Sequence, residues 1–223
     1  MAKRPKAKES TPSPDEIRDT VIAATMDVAA RSGWRNLTMA EVAAAANLPL
    51  SQVLIPFPTK YTVLNAFQDR VDARMLAAAE HFSNDGDEVD DVRDRLFDLL
   101  MERFDALAPY RAAMAEIAKD SIGDPGALCF VPRMARTMAR VLEAAGLKTS
   151  GPIGLLRAKG LALVYADAFR IWIRDDSEDQ AKTMAALDRA LRRAEKAMRF
   201  LNRVRPGRRR PAPEAPGDTA PAA

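Results

Sequence analysis

Two helix-capping signatures within the first 41 residues fix what the N-terminal part of this chain can become: a series of short helices with no room for strands. Ser13-Pro14-Asp15-Glu16 places a capping serine, a proline suited to the first helical position and a glutamate that can reach back to the cap. A first helix follows, with Ile17, Val21, Thr25, Val28 and Ala29 on one face, and Gly33 ends it. Thr38-Met39-Ala40-Glu41 repeats the signature and predicts a short second helix with Val42 and Ala45 inward, closed by Asn47. Pro49 opens a third helix over 50–55, and Pro56 stops it because its ring cannot occupy a helix interior. Pro58 is then expected to open a long fourth helix through Val63, Leu64, Phe67, Val71 and Met75, ending near Phe82.

Beyond a polar, glycine-containing break at 83–88 the helical period resumes, predicting helices at 89–107, 109–122, 126–145, 151–174 and 177–203. Pro109 and Pro125 serve as starts, Gly146 as a stop, and Ser177-Glu178-Asp179-Gln180 reads as a third capping box. No segment alternates as a strand would, and aromatic residues make up only 6% of the chain, with alanine supplying much of the apolar content. The expected fold is therefore all-α. Four parts follow from the pattern: a basic arm at 1–12, a helix-turn-helix unit at 13–60, a larger helical unit at 61–203, and a basic, proline-rich tail at 204–223. Both terminal parts lack apolar periodicity and are expected to be disordered.

The side-chain inventory removes most chemistries. His81 is the only histidine, so neither a histidine-based metal site nor a catalytic triad can be assembled, and it is expected on a helix surface. The one cysteine, Cys129, stands beside Phe130 and Val131 and is read as a buried, inert thiol. Asp85, Asp87, Glu88, Asp90 and Asp91 lack calcium-loop spacing, and no glycine loop could cradle a phosphate. No catalytic residue, metal or cofactor is expected. The stretch 1–16 is polar, and the apolar run 160–173 is short and contains Asp167 and Arg170, so a cytoplasmic protein without a membrane span is expected.

Charge is distributed unevenly. Lys3, Arg4, Lys6 and Lys8 oppose Glu9 at one end, and ten basic residues between 189 and 210 oppose Glu195 near the other, although the whole chain carries only +3. The middle is accordingly acidic, and a polyanion would meet the ends first.

One long helix, two short ones and another long helix is a helix-turn-helix arrangement. Asp27-Val28-Ala29-Ala30-Arg31-Ser32-Gly33-Trp34, then Leu37-Thr38-Met39-Ala40-Glu41-Val42-Ala43, then Phe57-Pro58-Thr59-Lys60 resembles the N-terminal domain of the TetR family over about residues 17–80. The resemblance implies a TetR-type fold and a homodimeric, ligand-controlled regulator whose third helix enters the DNA major groove at a palindromic operator. On these residues it places DNA contacts at Thr38, Leu50, Ser51, Gln52, Leu54, Lys60 and Tyr61, with Ile55 also facing the groove and Lys60 meeting a phosphate. The reading head is poor in charge: none lies between Asn47 and Phe57, and Arg18, Arg31 and Arg35 face five acids within 14–57. Gln52 could pair with an adenine, whereas Leu54 offers only apolar contact to a thymine methyl. In the larger unit Met101, Phe104, Met114, Met134, Met138, Phe169 and Trp172 either pack a core or line a pocket for a small hydrophobic ligand. Its last two helices could pair with a second copy as a four-helix bundle.

The stretch Arg174-Asp175-Asp176-Ser177-Glu178-Asp179, with Thr183, Leu187-Asp188-Arg189 and Met198, resembles the TetR-like lipid-binding accessory proteins of ubiquinone biosynthesis over about residues 155–200. Gly154-Leu155-Leu156-Arg157 stands where that group has an aromatic-rich start. This second resemblance implies isoprenoid-lipid binding, membrane contact through 189–210 and no DNA binding.

Overall fold

The computed structural model describes residues 13–81, 89–124 and 130–204. Among these there are nine α-helices and no strand: α1 (Pro14–Ser32), α2 (Met39–Ala45), α3 (Leu50–Leu54), α4 (Lys60–Ala78), α5 (Val89–Leu107), α6 (Arg111–Asp120), α7 (Phe130–Ala144), α8 (Gly151–Trp172) and α9 (Ala181–Val204). Both N-terminal capping boxes form as read, with Ser13 and Thr38 each accepting from the backbone three residues on and Glu16 and Glu41 returning the bond. Gly33, at φ +83°, ends α1 in a conformation that a Cβ would strain.

Three helix starts differ from expectation. Helix α4 begins at Lys60 because Thr59, not Pro58, caps it, exchanging hydrogen bonds with Thr62. Pro109 sits in a single 3-10 turn, Ala108–Tyr110, ahead of α6. Ser177 does not open α9, since Asp175 draws its hydroxyl and backbone N–H into a local turn and the helix starts at Ala181. Pro125, Cys129, the 1–12 arm and most of the C-terminal tail fall outside the described residues, as does the side chain of His81.

Helices α1, α2 and α3 pack on one another, and α1 also packs on α4 and α6. Helix α4 continues into the larger part, against α5 and α7, while α8 lies along α9 and packs on α7. One continuous apolar core runs through both parts, from Val21, Trp34, Val42, Val53 and Phe57 to Leu99, Met138, Trp172 and Leu187. The expected boundary between residues 60 and 61 therefore falls in the first turn of a 19-residue helix that both parts share. No described helix is long and apolar enough to cross a membrane.

Candidate functional site

Helix α3 has five residues, too few to persist alone. Val53, fully buried, pins it to the core, and Phe57 is buried just behind it. Because one residue faces in, the others face out: Leu50, Ser51, Gln52 and Leu54 are exposed, and Ile55, just past the helix, is 83% exposed. Three large apolar side chains thus surround Ser51 and Gln52 on an uncharged, protruding surface.

The neighbouring polar residues are largely committed to the protein itself. The Thr38 backbone N–H (2.8 Å) and hydroxyl (2.8 Å) both donate to the Glu41 carboxylate, and these bonds, the backbone one first, hold that carboxyl below its usual range while the Thr38 oxygen caps α2. The Lys60 ammonium is turned inward, donating to the carbonyls of Trp34 (2.8 Å) and Arg35 (2.7 Å) and lying over the Trp34 ring. Burial lowers its pKa, against the pull of Asp124 and Asp120. The Tyr61 hydroxyl donates to Asp124 at 2.6 Å, and the Tyr61 ring meets Trp34 edge-on.

These contacts make a joint that the sequence does not reveal. At the end of α6, one Asp120 carboxylate oxygen accepts the backbone N–H of both Trp34 (2.9 Å) and Arg35 (2.8 Å). Those two bonds, the Arg35 one first, keep the Asp120 carboxyl below its ordinary range despite some burial. The loop entering the helix-turn-helix is therefore held by its carbonyls from α4 and by its N–H groups from α6.

Two apolar-walled cavities lie between helices of the larger part. One, of about 210 Å³, sits between α4, α5, α6, α7 and α8, and Met114, Met134 and Phe169 line it together with Leu64, Ile117 and Phe130. The other four expected pocket residues do not line it. Phe104, Met138 and Trp172 are fully buried core, with Phe104 stacked against Tyr165 and Trp172, and Met101 is half-buried outside both cavities. Gln68, Arg103, Arg133, Thr137 and Tyr165 form the polar side of this cavity. The second space, about 460 Å³, opens between α5, α8 and α9 beside the end of α7, and is walled by Leu96, Leu156, Leu161, Leu191 and Met198 with Arg93, Arg157 and Arg199 among the lining residues. No group of acids, histidines and cysteines among the described residues is arranged to hold a metal ion.

A helix-turn-helix joined through a shared helix to a cavity-bearing helical part is an arrangement met in known structures. The TetR transcriptional regulator of Nitrosomonas europaea superposes with a TM-score of 0.64 at 28% identity, covering 81% of this chain and 98% of that one. The fold is of the TetR type. A TetR regulator of a Rhodococcus species (TM-score 0.57, 17% identity, 82% and 97% covered) and a TetR-family regulator of Streptomyces coelicolor (0.52, 14%, 85% and 96%) share the fold. No protein-family model matches the sequence, and no curated protein does. In this TetR-type chain the exposed α3 surface stands where the sequence resemblance puts base contacts.

Proposed function

We propose that the chain is a DNA-binding transcriptional regulator, dimeric through α8 and α9, whose reading head answers to a ligand in the 210 Å³ cavity. The observation that carries this reading is the outward presentation of Ser51 and Gln52 on a helix pinned by Val53 alone. Leu163, 74% exposed on α8, and Leu155 on the same helix supply apolar surface for a second copy. Thr38, Lys60 and Tyr61 act in this proposal as struts that position α3, with base choice left to Gln52 and Ser51 and thymine-methyl contact to Leu50, Leu54 and Ile55.

Purified protein should bind DNA from its own gene neighbourhood more tightly than random DNA at the same salt concentration; equal affinity for the two would sink the reading. Gln52→Ala is expected to weaken specific binding by about 1–3 kcal/mol at a single base position and leave non-specific binding unchanged. The joint makes a separate prediction. Asp120→Ala removes both acceptor bonds to the entry loop, so operator affinity should persist while its response to ligand falls several-fold, as measured by DNA titration with and without ligand.

A second reading, lipid binding without DNA binding, draws support from the wholly uncharged α3 surface and the larger cavity beside the end of α9. Extraction of protein purified from its own host separates the two. Co-purified isoprenoid lipid together with liposome binding and no specific DNA shift favours the second.

A further inference from the structure

The polar side of the 210 Å³ cavity is built around a buried carboxylate. Asp72 of α4, 1% exposed, accepts from Arg103 of α5, itself 1% exposed, and from the Thr137 hydroxyl of α7 at 2.7 Å. Arg133 and Arg140, both on α7, approach the second Asp72 oxygen at 3.5 and 3.7 Å, and Arg133 also pairs with Asp69 at 2.9 Å. Three guanidiniums thus face two carboxylates, and the third, Arg140, is half-exposed to solvent and does not line the cavity. The charges are also sorted by position: Arg103 and Arg133 line the cavity, whereas neither Asp69 nor Asp72 does.

Tyr165 adds a donor. Buried to 4% exposure and lining the cavity, it accepts from Arg103 Nε at 3.2 Å, and its own O–H proton goes to no acceptor among the described residues. The opposite wall is apolar, formed by Leu64, Met114, Ile117, Phe130, Met134 and Phe169. A cationic guest would meet the guanidinium N–H groups of Arg103 and Arg133, and an apolar one would leave the Tyr165 proton unanswered in a space of low polarity, which is costly. A carboxylate would accept from Arg133 and from Tyr165, in the planar geometry a guanidinium favours.

We propose that the ligand is a small amphipathic carboxylate, its head held by Arg133 and the Tyr165 hydroxyl, with Arg103 fixed behind them by Asp72, and its apolar body against Phe130, Met134 and Phe169. This rests on the regulator reading for its meaning but not for its test. The volume of about 210 Å³ suits a short alkyl or single-ring acid rather than a drug-sized guest.

The test is calorimetric titration of the full chain with hexanoate, octanoate and decanoate, each against its amide and its amine. At least one acid should bind ten or more times as tightly as its amide, and the amine should not bind. Arg133→Gln should abolish that preference at an unchanged melting temperature, and Arg133→Lys should restore part of it; if Arg133→Gln melts early, the Arg133→Lys comparison and the wild-type headgroup series decide. Equal affinity for acid and amide, or no binding of any acid, overturns the proposal. Failure of the regulator reading shows separately: selective acid binding without specific DNA binding sinks that reading alone, and specific DNA binding by a chain indifferent to all three headgroups sinks this one alone.

Discussion

Asp72→Ala is expected to lower the free energy of unfolding by about 3–5 kcal/mol, the usual cost of removing one partner from a buried ion pair. The loss is large because Asp72 and Arg103 have side chains only 2% exposed, and the Arg103 guanidinium left behind keeps only the neutral Gln68 and Tyr165 as partners. Thr137, also buried, loses its acceptor at the same time. Against a typical domain stability of about 5–15 kcal/mol, such a loss leaves a substantial unfolded fraction at moderate denaturant. Urea titration followed by circular dichroism measures it as a lower midpoint at constant slope. The double variant Asp72→Leu with Arg103→Met should recover most of the loss, since an apolar pair of similar volume needs no compensation. A drop below about 1 kcal/mol for Asp72→Ala would mean that water reaches the pair.

Asp175→Ala should cost about 2–3 kcal/mol, and the cost should depend on pH. Asp175, 1% exposed between α8 and α9, takes four hydrogen bonds: from the backbone and hydroxyl of Ser177 at one oxygen, and from the backbone (2.8 Å) and hydroxyl (2.6 Å) of the fully buried Thr183 at the other. Burial by itself would raise this carboxyl; the bonds from Ser177 and Thr183 outweigh it and hold the group well below the usual carboxylate range. The folded state therefore favours the ionised form more than the unfolded chain does, whose aspartates titrate near pH 3.9. The stabilisation is complete above about pH 5 and is lost as pH falls through the unfolded value and on toward the folded one. Wild type and variant should accordingly differ by a constant amount between about pH 6 and 8, with the gap starting to narrow only below about pH 4 and continuing to shrink as pH falls further, as read from paired denaturation curves. A difference independent of pH would assign the effect to packing.

What the sequence discloses here is what depends on near neighbours. Ser13 with Glu16 and Thr38 with Glu41 are readable because cap and partner lie three residues apart. Ser177 with Gln180 misleads because the Ser177 oxygen, turned by its bond to Asp175, takes the N–H of Ala181, and the Gln180 side chain is committed to Trp172 and Asp105. The exposure of Leu50, Ser51, Gln52 and Leu54 follows from prolines bracketing so short a helix that it can bury one side chain. The commitments of Lys60 and Asp120 do not follow, since their partners lie 25 to 86 residues away. Periodicity finds apolar positions but not the interhelical gaps left unfilled, so Phe104, Met138 and Trp172 look like cavity walls and are core. The buried pair had left one trace: Asp72 lies on the inward face of α4 between Val71 and Met75, where an acid needs a partner.

The continuity of α4 has a mechanical consequence. At about 1.5 Å per residue its 19 residues form a stiff beam roughly 28 Å long, loaded at one end by the Trp34 loop and along its length by α5 and α7. With no slack between the halves, a tilt of about 5° imposed near Gln68 or Asp72 carries the Lys60 end roughly 1–1.5 Å. Were the chain paired symmetrically, the displacement would double, and the proposed guest, too small to reach α3, would still shift the spacing of the two α3 helices by about 2–3 Å against a major groove about 12 Å wide.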